Sequence, residues 1–137
     1  MQFGNTAMYW AARKGHLEVV SVLLEAGAEQ NTIGANGFTA LLIAVKGTYE
    51  SCANLILQHP KTNTNQSTRE GHSALSFACR NGLTSFVQSL IQRGVFLNVV
   101  DHQGDTPLMK AVKHGHFEVV QLMLSVFAEV DIINKVG

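Results

Sequence analysis

The sequence predicts an all-α chain in which one pair of short helices is repeated four times. Three observations carry that prediction. The first is the stretch 106–124, TPLMKAVKHGHFEVVQLML. Thr106 suits a helix N-cap and Pro107 the first helical position, while Leu108, Ala111 and Val112 fall at i, i+3 and i+4 on one apolar face. Gly115 breaks that helix, and a second apolar set follows in Val119, Val120, Leu122, Met123 and Leu124. The second observation is recurrence: Thr6, Thr39, Ser73 and Thr106 open four such stretches at spacings of 33, 34 and 33 residues. The third is the pair of columns that travels with them. Gly4, Gly37, Gly71 and Gly104 stand two residues before each start, and Ala11, Ala44, Ala78 and Ala111 five residues after it. Helices this short cannot bury an apolar face alone, so each unit must pack on its neighbours in one continuous core.

A period of 33 carrying T-P-L-x-x-A resembles the ankyrin repeat, and the resemblance covers the whole chain. Residues 11–31, AARKGHLEVVSVLLEAGAEQN, are similar to the family pattern at nearly every fixed position. The resemblance implies an ankyrin-repeat solenoid, with a β-hairpin finger and an antiparallel helix pair in each repeat. Repeats then occupy 1–33, 34–67, 68–100 and 101–133, and 134–137 opens a further one. Two segments, 9–18 and 39–49, also resemble the array of the ankyrin repeat-rich membrane-spanning scaffolds that interact with kinase D. The stretch SALSFAC at 73–79 is similar instead to a small nuclear adaptor family that grips proline-containing peptides.

Taken in order, the repeats differ where their helices end. Repeat one closes its second helix with Ala26-Gly27-Ala28, glycine suiting a left-handed C-terminal residue. Repeat two has Gly47-Thr48-Tyr49 where repeat one has Lys14-Gly15-His16, and it closes with His59-Pro60-Lys61 and one extra residue. Pro60 stops that helix by removing an N–H. The polar run 61–69, KTNTNQSTR, reads as an exposed, locally mobile finger. Repeat three keeps Gly82 and Gly94. In repeat four Phe127 replaces the closing glycine, so a loop of different shape is expected there. The second helix of repeat four (Val119, Val120, Met123) is expected to leave one side bare. A longer array or self-association through that uncapped repeat would cover it.

Composition narrows the function. Hydrophobic residues make up 46% of 137, and ten Lys and Arg balance ten Asp and Glu. No run of 18 apolar residues suggests a membrane span, and the first residues lack the basic and apolar regions of a signal peptide. An intracellular, cytoplasmic setting is the expectation. A nuclear one is the alternative, and the scaffold resemblance implies the cytoplasmic face of a membrane. Cys52 and Cys79 fall in apolar columns and read as small buried hydrophobes rather than a disulfide.

The zero net charge hides a sorted distribution. Down the first helices, one column reads Trp10, Ile43, Phe77 and Lys110, and a second reads Arg13, Lys46, Arg80 and Lys113. A third column contributes Lys14 and His114. The acids lie mainly on second helices and loops. The ankyrin resemblance implies that these columns line the concave groove and that finger tips form its rim. Rim candidates are Gln2, Phe3 and Asn5, then Ala35, Asn36 and Phe38, then Arg69, Glu70 and His72, then His102, Gln103 and Asp105. A groove lined by one sign of charge attracts the opposite sign, so the expected partner is an extended acidic or acidic-apolar protein segment. In that reading Trp10, Ile43 and Phe77 take an apolar anchor. The plain structural alternative is that the cations complement helix dipoles and the apolar side chains fill space between repeats.

Other chemistries find little support. Gly34 to Gly37 lack the spacing and lysine of a phosphate loop. His114 and His116 are two residues apart, off a shared helix face, so no metal site is expected, and no cofactor or small-molecule substrate. His16 and His116 read as structural. Nothing suggests a catalytic group, and a neutral chain with few aromatics argues against a dedicated nucleic-acid binder. Leu23, Glu29 and Asn31 resemble the leucine–acid–asparagine pattern that asparaginyl hydroxylase modifies in ankyrin proteins, which marks Asn31. Its structural alternative is a hydrogen bond within the turn.

Overall fold

The computed structural model describes residues 6–136, with side chains through Phe127. Among the described residues eight α-helices form four pairs: α1 (Ala7–Lys14) and α2 (Leu17–Glu25), α3 (Ala40–Lys46) and α4 (Glu50–Gln58), α5 (Ala74–Asn81) and α6 (Thr84–Gln92), α7 (Pro107–Lys113) and α8 (Phe117–Val136). The first helices contact one another in sequence, α1 to α3 to α5 to α7, and the second helices likewise, α2 to α4 to α6 to α8. The result is a two-layer solenoid.

Each first helix starts the way its sequence requires. The hydroxyls of Thr6, Thr39, Ser73 and Thr106 accept the backbone N–H three residues on, at 3.1, 3.3, 3.1 and 3.2 Å. Such a cap is worth about 1 kcal/mol. The alanine column Ala11, Ala44, Ala78 and Ala111 is buried in every repeat and lets neighbouring first helices approach closely. Met8, Leu41 and Leu75 fill the next row, and Val20, Ala53 and Val87 fill the matching row of the second layer.

The turn between paired helices needs one left-handed residue. Gly15, Gly82 and Gly115 supply it, at φ of 74°, 72° and 71°. In the second pair glycine falls one residue early: Gly47 has φ −81°, and Thr48 takes the left-handed conformation at φ 64°. The expected alteration of this turn is therefore real, and Thr48 bears the strain.

The second helices close differently. α2 and α6 run into Gly27 and Gly94, both left-handed. α4 stops at Gln58 because His59, ahead of Pro60, is extended at ψ 127°. The expected loop at Phe127 does not form. With no glycine and no proline to stop it, α8 continues as helix to Val136. The segment 61–69 is also better tied than its polarity suggests. Thr62 and Thr68 are buried, and the Thr62 hydroxyl donates to the Ile56 carbonyl at 2.6 Å.

Fingers project from one edge as tight turns, with an isolated antiparallel bridge between Ser67 and Ser73. They are hydrogen-bonded in series. The Arg69 N–H donates to the Asn36 carbonyl at 2.8 Å, and the His102 N–H to the Glu70 carbonyl at 3.0 Å. Gly37 permits the first approach: a Cβ there would lie 2.7 Å from the Arg69 nitrogen.

The bare side of the last pair differs from the expected one. Val119 and Met123 are fully buried against α6, whereas Met109, Val112, Phe117 and Leu124 are exposed. Val112 occupies the column of Ala12, Val45 and Cys79, each of which is sealed by the following pair.

Candidate groove between fingers and first helices

The basic column lies at the C-terminal ends of α1, α3, α5 and α7, beside the fingers. Arg13, Lys46 and Arg80 are exposed, and none forms an ion pair among the described residues. Their charge is not consumed in capping. The carbonyls at the end of α3 (Val45, Lys46) accept the Asn81 amide at 3.1 and 3.4 Å, and the Arg80 carbonyl meets His116 Nε2 at 2.8 Å. Neighbouring repeats satisfy these helix ends, which leaves the cations facing outward. His116 is structural, as expected. The notch at Gly82 accommodates its ring, since a Cβ there would fall 2.5 Å from His116 Nδ1.

Two adjoining cavities follow the column. One of about 440 Å³ is lined by Phe38 and Phe77 together with Lys46, Arg69, Glu70, His72 and Arg80. The other, of about 510 Å³, is lined by Tyr9, Arg13, Ile43 and Tyr49. Asn36, Phe38 and Lys46 border both. Tyr9 and Tyr49 were not among the expected groove residues. Tyr49 holds the column of His116, and its ring packs against Gly15 as the His116 ring packs against Gly82, so its column was the available signal.

The expected apolar anchors separate. Trp10 is 44% exposed, with the Arg13 guanidinium 5.4 Å from its ring centre and Tyr9 packed edge-on at 5.6 Å. Ile43 and Phe77 are buried, at 9% and 3% exposure, and cannot insert into a partner. Phe77 is covered by the finger side chains Phe38, stacked at 5.9 Å, and His72, at 5.3 Å. The aromatic that reaches the groove surface here is Phe38, with Lys46 Nζ 5.2 Å above its ring.

The fourth repeat departs furthest from expectation. Lys110, in the column of Phe77, is buried and paired with Asp101 at 2.7 Å. Lys113 is held by both Asp105 oxygens at 2.9 and 2.8 Å, so the rim residue Asp105 is buried and occupied. Asp101 was missed. It follows an apolar run and reads as a mere boundary, although an Asp two and four residues before finger N–H groups is an Asx-turn signal. Its Oδ1 accepts the N–H groups of Gln103 and Asp105, both at 2.9 Å. Burial alone would push this carboxyl up. The bonds from Lys110 and the two backbone donors outweigh burial and hold it down at about 2. His72 Nδ1 lies 3.7 Å from the same carboxylate. Burial, then the charge of Lys110, lowers the His72 pKa against the opposing pull of Asp101 and Glu70.

The remaining candidates are dispersed. Lys14 is exposed outside both cavities. His102 is exposed at the fourth finger tip, and His114 turns back to the Lys110 carbonyl at 3.0 Å and stacks on His116. Phe3 and Asn5 lie outside the described residues. The Asn31 amide bridges repeats, donating to the Lys61 carbonyl and accepting from the Asn63 N–H, both at 2.7 Å. Burial pushes the Cys79 thiol up to about 12 and also raises Cys52, so neither free thiol is disposed to act as a nucleophile. Among the described residues no helix is long and apolar enough to cross a membrane. The arrangement suits recognition by charge and aromatic contact.

Known proteins carry the same pattern. The family model for ankyrin repeats matches residues 1–67 and 51–134. The chain is 31% identical over 124 residues to the ankyrin repeat and KH domain-containing protein mask-1 of Caenorhabditis elegans, covering 89% of this chain and 5% of that protein. It is 28% identical over 122 residues to human transient receptor potential cation channel subfamily A member 1, covering 89% and 11%. It is 32% identical over 158 residues to the probable E3 ubiquitin-protein ligase XBOS32 of rice, covering 92% and 32%. The chain thus spans at most about a third of the length of these relatives. With capped helix pairs, left-handed turns and serially bonded fingers recurring along its length, this chain belongs to the ankyrin-repeat family, whose repeats are a general protein–protein interaction module without catalytic activity of their own.

Proposed function

We propose that the first three repeats hold an extended acidic or acidic-apolar segment of a partner protein, as one module of a larger intracellular adaptor or scaffold. The observation that carries this reading is the row Arg13, Lys46 and Arg80: exposed, without ion pairs among the described residues, and interleaved with Trp10 and Phe38. Desolvated aromatics beside cations are favoured anchors in protein interfaces. Micromolar affinity, about −8 kcal/mol, is ordinary for such a segment. The test is capture from cell extract by wild type and by Arg13→Glu/Arg80→Glu at two salt concentrations, after equal helicity and melting are verified. A salt-sensitive partner lost from the variant supports the groove. An unchanged set of partners overturns it.

A second reading, a structural spacer within a longer array, is favoured by the exposed apolar side chains Met109, Val112 and Phe117 on the last pair. In that reading partners bind elsewhere, and this surface is covered by more repeats or by a second copy.

A further inference from the structure

Lys46, Arg69 and Arg80 come from three different elements, the ends of α3 and α5 and the tip of the third finger, yet they line one cavity of about 440 Å³. The backbone bond between Arg69 and Asn36 locks the two fingers that flank it. None of the three cations has an ion pair among the described residues. The acid in the lining, Glu70, is exposed, and its one ion-pair partner among the described residues is His72, at 3.9 Å. One wall is the half-buried ring of Phe38, stacked on Phe77. In the fourth repeat Lys113, which shares the column of Lys46 and Arg80, is already occupied by Asp105, and Lys110, in the column of Phe77, by Asp101.

Resting on the groove reading, we propose that this cavity is the anchor subsite for one anionic side chain of the bound segment, a carboxylate or a phosphomonoester, with an apolar neighbour on Phe38. The three cations against one acid leave an excess of positive charge that an oxyanion neutralises. Guanidinium forks favour oxyanions over other acceptors. The subsite also fixes register: the acid sits between the second and third fingers, and nothing acidic is required over the fourth.

The experiment selects random 12-residue peptides displayed on phage against the full 137-residue chain. The strongest binder is then synthesised with Glu, phosphoserine or Gln at its acidic position. Expected is a recurring acid beside an aromatic or aliphatic residue, and a loss of about tenfold or more in affinity for Gln. The same loss is expected for the Glu peptide against Lys46→Ala/Arg80→Ala. Lys113→Ala should change affinity less than about twofold, because that lysine is already paired. Whether phosphoserine or Glu binds tighter identifies the source of the oxyanion, and either order supports the site. Enriched peptides that lack an acid, or that bind the double variant unchanged, overturn the subsite while leaving groove binding intact. Failure to enrich any peptide overturns both. Circular dichroism verifies that the variants, altered only at exposed side chains, remain folded.

Discussion

The third and fourth repeats both place a cation near the end of the first helix and use it oppositely. Arg80 and Lys113 occupy one helix position, yet Arg80 faces an open cavity and Lys113 is clamped by Asp105. Phe77 and Lys110 occupy another, and both are buried, one under Phe38 and His72 and the other against Asp101. The finger decides the difference. Finger three offers aromatic and cationic side chains to its helix, whereas finger four offers two carboxylates. A cation is available for binding only where no finger has claimed it.

The largest expected effect is on the buried pair. Lys110→Ala leaves the Asp101 carboxylate buried without its cation, which should cost roughly 3 kcal/mol in urea unfolding. A loss under about 1 kcal/mol would mean that fingers three and four hold their helices in much the same way. Next comes the pH profile. Asp101 titrates at about 2 when folded against an ordinary 3.8, so its pairing contributes roughly 2 kcal/mol above pH 3.8 and is lost as pH falls toward 2. The lowered His72 pKa acts in the same direction at higher pH: stability starts to fall as pH drops below about 6.5, where the unfolded histidine takes up its proton. Melting temperatures from pH 8 to pH 2 check both, and Asp101→Asn should remove the lower step.

Turns extend the comparison along the chain. Gly82→Ala combines a positive φ with a clash against the His116 ring and should cost about 1–2 kcal/mol. Thr48→Gly, at the equivalent turn, should gain about 0.5–1 kcal/mol in thermal unfolding, because glycine relieves the strain at φ 64° and water can replace the Thr48 hydroxyl on the exposed Gly47 carbonyl. The smallest effect is Lys46→Ala, expected within about 0.5 kcal/mol in the same assay, since its cation is held by no acid among the described residues. A larger loss would move Lys46 from the binding column into the structural one.

Much of the fold was legible in the chain itself because its determinants are local. Thr6, Thr39, Ser73 and Thr106 cap helices whatever surrounds them, and Gly15, Gly82 and Gly115 turn the chain through their own φ. Recurrence near 33 residues then dictates stacking, because no pair can bury its apolar stripe alone. Pro60 and the misplaced Gly47 announced local departures that the structure contains. Phe127 was misread because losing a stop signal lengthens a helix rather than reshaping a loop.

The groove was legible as columns but not as contacts. Spacing put Arg13, Lys46, Arg80 and Lys113 in one row, and it could not tell which of them a finger would neutralise. Asp105 sits eight residues from Lys113 and Asp101 nine from Lys110 in sequence, and they meet the helix only when the finger folds onto it. Likewise, Phe77 is exposed or buried according to Phe38, which arrives from the preceding repeat. Local sequence determined the helices, caps, turns and period of this protein, because backbone geometry and one-turn hydrogen bonds reach only a few residues. Only the stacked structure decided which charges are free and which rings are covered, because burial and ion pairing depend on side chains that the chain brings together from separate repeats.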